Sequence, residues 1–253
     1  METGQGKVKA VHTSFRILET IRERNGAGIT EIANETSITK STVFRHLQTL
    51  EEDEYVVKEN DTYHIGLRLL GFGDQVRTRK TGYDLAQKKV EELADETDER
   101  AQFMVEEYGN VYYLHQETGR HAVHLHRSIG DCIPVHRASA GKAMLAEYPD
   151  EKIHDICERY GLERGTEHSI TDRDKLFEEI EQIRERGYSY NRQENSEGIR
   201  AVGVAVKSPA GGVFGALSIA GPTHRLKGDL FEQELPDLLL GAANELELNI
   251  KHA

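Results

Sequence analysis

The stretch ITKSTVFRHL, Ile38 to Leu47, presents two opposed faces at helical spacing. Val43 and Leu47 stand one turn apart, and Leu50 continues their side. Lys40, Ser41, Thr42, Arg45, His46 and Thr49 fall outside it. Thr39 is placed to cap this helix, which is expected to run to about Asp53. Just before it, TSIT makes a tight turn with Ile38 pointing inward. Thr30 is placed to cap a shorter helix from Glu31 to Glu35 that buries Ile32 and Ala33. Upstream of the glycine stop RNGAG, the residues Val11, Phe15, Ile17, Leu18 and Ile21 form an apolar face of about three turns. Helix, tight turn and second helix with this pattern make a helix-turn-helix.

A basic helix face is also an ordinary solvated surface, so the flanking sequence matters. EYVVKEN and DTYHIG read as two short strands, with Tyr55, Val57, Tyr63 and Ile65 alternating as in a hairpin. A three-helix unit followed by a hairpin is a winged helix-turn-helix. In that arrangement Thr39, Lys40, Ser41, Thr42, Arg45 and His46 sit where a recognition helix meets base edges and phosphates, and Lys58 on the hairpin lies near phosphate. The acidic run EEDE at 51–54 falls at the far end of that helix.

The formal charge of −12 is unevenly spread. Residues 1–80 carry 12 Lys+Arg and 12 Asp+Glu, so the whole excess of acid lies beyond residue 80. A heavy acidic surface suits a salt-rich cytoplasm, such as a halophile's, where counterion release drives phosphate binding only weakly. No run of about 18 apolar residues is present, which excludes a membrane-spanning helix. METGQGKVKA lacks the apolar core of a secretory signal, and Cys132 and Cys157 are the only cysteines. A cytoplasmic, reducing location is therefore expected.

The string TEIANETSITKSTVFRHLQTLEEDEYV, followed by YHIGLRLLGFG, resembles the N-terminal region of IclR-type transcriptional regulators. The resemblance resumes in family order at HRASAGKAMLAEY, RERGYSYNRQENSEGIRAVGVAV and GALSIAGPTHRL. It implies an α+β protein: a winged helix-turn-helix at 8–66, a linker helix at 67–81, and a GAF-like antiparallel-sheet domain with flanking helices at 82–253 that senses a small molecule. In the linker, Leu67, Leu70 and Val76 have helical spacing, interrupted by Gly71 and Gly73.

The rest of the chain fits that domain. TGYDLAQKKVEELADETDE is an amphipathic helix, AQFMVEEYGNVYYLHQ a hairpin turning at Gly109-Asn110, and HAVHLHR a further strand. Helices follow from Ser139 to Tyr148, from Pro149 to Tyr160, and over DRDKLFEEIEQIRER with Thr171 as its cap and Asp174 completing a capping box. YSYN, IRAVGVAVKS and VFGALSIAG are strands. A last helix runs from about Asp229 to Lys251 and bends or restarts at Pro236.

No catalytic constellation emerges. SAGKAM falls short of a phosphate loop, because His136 and Ala143 stand where Gly and Ser or Thr are required. No enzymatic activity and no cofactor are expected. His115, His121, His124, His126 and His136, with Cys132, crowd one segment, but their spacing matches no tight metal pattern and no metal is assigned. By resemblance, the effector positions are Ser139, Ala140, Asn191, Ala201, Ser218 and Ala220. Family members that bind small oxo-acids place Asp, Cys and a second Ser where this chain has Asn191, Ala201 and Ala220. The departures imply an effector bulkier or less acidic than glyoxylate, with Arg137 or Arg200 as a counter-charge. The resulting expectation is a metabolite-controlled regulator of carbon catabolism that binds a palindromic double-stranded operator as a homodimer or homotetramer. The alternative is a metabolite- or metal-binding sensor that works mainly through protein contacts.

Overall fold

The computed structural model describes residues 8–120 and 127–252. The chain forms two compact units, one ending at Arg79 and the other beginning at Lys80.

In the first unit, helices α1 (Lys9–Glu23), α2 (Ile29–Thr36) and α3 (Lys40–Glu52) are followed by strands β1 (Val56–Glu59) and β2 (Thr62–Ile65) and by helix α4 (Arg68–Thr78). Ile17, Ile21, Ile32, Val43, Leu47 and Tyr63 make the centre of its core. The first helix has a second apolar side that this core does not take up: Val11 and Phe15, expected on the inner face, are exposed. The inward residue of β1 is Val56, not Val57. Antiparallel pairing sets Val56 opposite Ile65 and Lys58 opposite Tyr63, which reverses the expected alternation on that strand. Ala27 adds a bridge to Tyr63 through two backbone hydrogen bonds of 3.0 Å, so the wing gains a third, one-residue strand.

The caps differ from expectation as well. Gly28, not Thr30, caps α2, and its N–H donates to Glu31 Oε2 at 2.8 Å. Extended Gly28 lets the chain turn directly from the Ala27 bridge into the helix. Ser37, at φ 56°, closes α2 and begins the turn that delivers Thr39 as the cap of α3.

The second unit is a six-stranded antiparallel sheet. Its strands are β3 (Arg100–Glu107), β4 (Asn110–Thr118), β5 (Cys132–Pro134), β6 (Ser189–Arg192), β7 (Ile199–Lys207) and β8 (Val213–Pro222). They are ordered β5-β4-β3-β8-β7-β6. The β3–β4 turn lies one residue earlier than expected, at Tyr108-Gly109, where φ values of 55° and 72° give the primed geometry that matches strand twist. Of the strand expected over HAVHLHR, 121–127, residues 121–126 lie outside the described residues.

One face of the sheet packs Phe103, Val202, Val204, Leu217 and Ile219 against α5 (Tyr83–Thr97) and α9 (Leu235–His252). The other packs Met104 and Ala216 against α6 (Ser139–Ala146), α7 (Asp150–Tyr160) and α8 (Arg173–Arg186). Asp172, not Thr171, caps α8, its carboxylate accepting from Lys175 N at 3.1 Å. A π-helical turn at Leu230–Glu234 precedes α9. Pro236 has no N–H to donate one turn back, and the Glu232 carbonyl accepts the Tyr190 hydroxyl instead, at 3.2 Å. Among the described residues, no helix is long and apolar enough to cross a membrane.

Candidate nucleic-acid interface and ligand pocket

Thr39 caps α3 by accepting from Thr42 N at 3.3 Å, and its hydroxyl also donates to Thr42 Oγ1 at 2.9 Å. Ser41 Oγ joins the same group 3.2 Å from Thr39 Oγ1. These three predicted residues therefore form one hydroxyl cluster at the start of the helix. His46 is half-buried, with Nδ1 2.9 Å from Ser14 Oγ on α1, which fixes α3 against the first helix. Lys40 and Arg45 extend from the exposed side. Lys58 lies in β1 with its ammonium 5.5 Å from the centre of the Tyr63 ring, tethered to the wing by a cation–π contact. Phe44, which sequence reasoning passed over, is 44% exposed on the same helix. Its spacing from Val43 and Leu47 was the available signal, since it falls at the edge of the buried stripe.

In the second unit, a cavity of about 310 Å³ opens on the sheet face that carries α6. Ser139, Asn191, Ala201, Ser218 and Ala220 line it. Sheet register explains why residues from distant segments meet there: Asn191 pairs with Ala201, Ala201 with Ala220, and Ser218 with Gln102. Ala140, the sixth expected position, does not line the cavity; it is buried in the core beneath α6. Helical geometry turns it away from Ser139 by about 100°. Gly203 makes the close approach possible, because a Cβ there would lie 2.6 Å from Ala140 N.

The expected counter-charges are also misplaced. Arg200 donates to the Leu226 carbonyl at 3.1 Å and lies against the Phe231 ring, and neither it nor Arg137 lines the cavity. Arg127 does. Its backbone carbonyl accepts Arg100 Nη2 at 2.7 Å and Gln116 Nε2 at 3.0 Å, which anchors that end of the strand connection. Among the described residues, no acidic side chain lines the cavity. Sequence reasoning also missed Gln102, Met104 and Tyr113, although the period of two along β3 places Gln102 and Met104 on one side. Burial raises the Tyr113 hydroxyl pKa above its ordinary value.

Asn195 and Ser196 close the rim from the loop after β6. That loop is strongly held. Asn191 Oδ1 accepts from Glu194 N at 3.0 Å, while Asn191 Nδ2 donates to the Arg137 carbonyl at 2.5 Å. Ser169 Oγ donates to the Glu194 carbonyl at 2.6 Å. Glu194 itself accepts Lys142 Nζ of α6 at 2.8 Å, and Lys142, only 1% exposed, also reaches Glu179 Oε1 of α8 at 3.3 Å. Arg186 completes the group with a 3.0 Å bond to Glu179. Four charges of two signs thus balance inside the unit. Burial outweighs the attraction of Lys142 and pushes the Glu194 carboxyl above the usual carboxylate range.

Of the expected histidine cluster, His121, His124 and His126 lie outside the described residues. His136 Nε2 is 3.0 Å from the Glu163 carbonyl. Among the described residues, neither His115, Cys132 nor His136 belongs to a group of three metal-ligating side chains; Glu167, His168 and Glu197 do, but all three are exposed.

Residues 10–60 match the model of the IclR helix-turn-helix domain, and residues 81–248 that of the bacterial transcriptional regulator IclR C-terminal domain. Among curated relatives, the probable HTH-type transcriptional regulator ArcR of Halobacterium salinarum is 29% identical, covering 98% of this chain and 95% of that protein. The HTH-type transcriptional regulator KdgR of Escherichia coli is 30% identical, covering 94% and 91%. Among solved structures, an IclR transcriptional regulator from Alicyclobacillus acidocaldarius superposes with a TM-score of 0.80 at 25% identity, covering 97% of this chain and 98% of that one.

Proposed function

The chain belongs to the IclR family of transcriptional regulators, and from that premise we propose how its parts divide the work. It is a DNA-binding regulator under small-molecule control, not an enzyme. Lys40, Ser41, Thr42 and Arg45 of α3 address the major groove, with Thr39, His46 and Lys58 as supporting contacts. The cavity around Ser139, Asn191, Ala201, Ser218 and Ala220 holds the effector, a small organic or sugar acid of carbon catabolism. The observation that supports this is the convergence of five side chains from α6 and three strands on one cavity with Arg127 and, among the described residues, no carboxylate at its wall. Such a lining favours a ligand that is anionic at one end and apolar or hydroxylated elsewhere. The proposed site includes Arg127 and leaves out Ala140.

The protein works as a homodimer or a dimer of dimers in the cytoplasm, on a palindromic operator, because paired recognition helices need half-sites related by a two-fold axis. Support comes from the first unit, where Val11 and Phe15 of α1, Leu67 just before α4, and Leu70, Phe72 and Val76 along α4 remain exposed. Exposed apolar side chains gathered in this way suit a protein-contact surface.

A gel shift on the gene's own upstream region tests the reading. Sequence-specific retardation is expected for the wild type and its loss for Arg45→Ala combined with Thr42→Ala. An unchanged shift in that variant would remove α3 from the interface. Absence of any shift for the wild type would favour a sensor acting through protein contacts.

A further inference from the structure

We propose that Phe44 is a base-reading residue of α3 that packs on the 5-methyl group of thymine in the major groove. The inference rests on the DNA-binding reading above. Its first support is how α3 spends its polar side chains. Thr39, Ser41 and Thr42 bond to one another at the helix start, His46 is engaged by Ser14, and Thr49 Oγ1 donates to the Arg45 carbonyl at 3.3 Å. The exposed side chains of α3 not committed in this way include Lys40, Phe44, Arg45 and Gln48. Phe44 is the apolar one. It lies one turn from Lys40 and from Gln48, along the row beside Arg45.

The second support is its exposure. Val43, Leu47 and Leu50 turn into the core, while Phe44 keeps 44% of its surface in water on the helix that carries Lys40 and Arg45.

The third is electrostatic. Lys40 and Arg45 are the cations of α3, and Glu51 and Glu52 end it. Residues 1–80 have equal numbers of acidic and basic side chains, so attraction to phosphate is modest. Apolar contact with a base edge is insensitive to screening and supplies affinity where phosphate attraction does not. In the major groove thymine alone presents a methyl group, whereas cytosine offers an amine donor. An exposed phenyl ring therefore selects thymine and rejects cytosine.

Random-sequence duplex DNA enriched on the full-length protein supplies the probe. Each thymine of the enriched site is then replaced singly by uracil, which removes only the methyl group, and equilibrium binding is measured. One thymine per half-site is expected to weaken wild-type binding about fourfold on this change, the effect of exposing one buried methyl. Phe44→Ala should bind the thymine and uracil forms equally, and Phe44→Leu should retain part of the discrimination. Two results overturn the assignment: equal loss on uracil in wild type and Phe44→Ala, or no uracil-sensitive thymine in the wild type. A change in solution mass in Phe44→Ala, with the uracil effect intact, assigns Phe44 to a protein interface instead. Failure of any sequence to enrich overturns the DNA-binding reading and this one together, and is distinct from enrichment without methyl sensitivity.

Discussion

Thr39, Val56 and Ala201 show how differently single residues reveal themselves. Thr39 was legible as a cap from its hydroxyl before a periodic run, and the structure gives it that use, whereas Thr30 and Thr171, read by the same rule, do not cap their helices. Thr39→Ala should lower stability toward urea by about 1 kcal/mol, read from the shift of the early transition if the two units melt separately. Val56 and Val57 could not be told apart, since adjacent valines satisfy either strand parity and only the pairing with Ile65 and His64 separates them. Ala201 looked like a departure from a family pattern; in the structure it is an absence of bulk that leaves room in the cavity. Ala201→Leu is expected to abolish the thermal shift caused by a catabolic acid found by screening, while operator binding persists. Overpacking should cost about 1–3 kcal/mol if the side chain is forced inward. Retention of the full ligand shift in this variant would move the effector site elsewhere.

Helix α6 and the loop after β6 form a single piece of architecture through the Glu194–Lys142–Glu179–Arg186 group. Removing one partner of a buried pair strands the other charge, so Lys142→Met should cost about 3–5 kcal/mol. Lys142→Met combined with Glu194→Gln should recover part of that loss in thermal or urea melts. The pH response follows from the raised Glu194 carboxyl. A carboxyl whose folded pKa lies above its unfolded value of about 4.5 takes up its proton first in the folded chain. Its contribution to stability is fully present below the unfolded value and is lost as pH rises through the folded one. The gap between wild type and Glu194→Gln should therefore shift in favour of wild type on acidification across that interval. A pH-independent gap would mean that Glu194 titrates normally. In sequence Lys142 reads as part of a failed phosphate loop, and its burial depends on two carboxylates more than thirty residues away in the chain.

On the proposed reading, the molecule as a whole converts cavity occupancy into a change at the operator. Because coupling is reciprocal, operator DNA must change effector affinity by the same factor by which effector changes operator affinity. Calorimetric titration of effector with and without operator checks this, and unequal factors would mean that the ligand acts through a different assembly. The exposed apolar residues of α1 and α4 make the proposed oligomer testable. Leu70 is 71% exposed in the chain, so Leu70→Glu should leave the chain folded yet lower its solution mass and weaken cooperative operator binding. An unchanged mass by light scattering would assign the assembly to another surface.

Sequence by itself determined the order of the longer helices and strands, though not the short strand β5, together with the apolar back of α3 and the division between a charge-balanced first segment and an acidic remainder. These follow from local periodicity and composition, which need no knowledge of distant partners. All six expected effector positions came from resemblance, and the union of five of them in one cavity is a matter of strand register, a long-range property. Tertiary structure alone decided the rest. It buried Ala140, set Arg127 rather than Arg137 or Arg200 at the cavity wall, chose Val56 over Val57, and left Phe44 in water. Each outcome depends on which neighbour arrives from elsewhere in the chain, and no spacing rule within a segment carries that information.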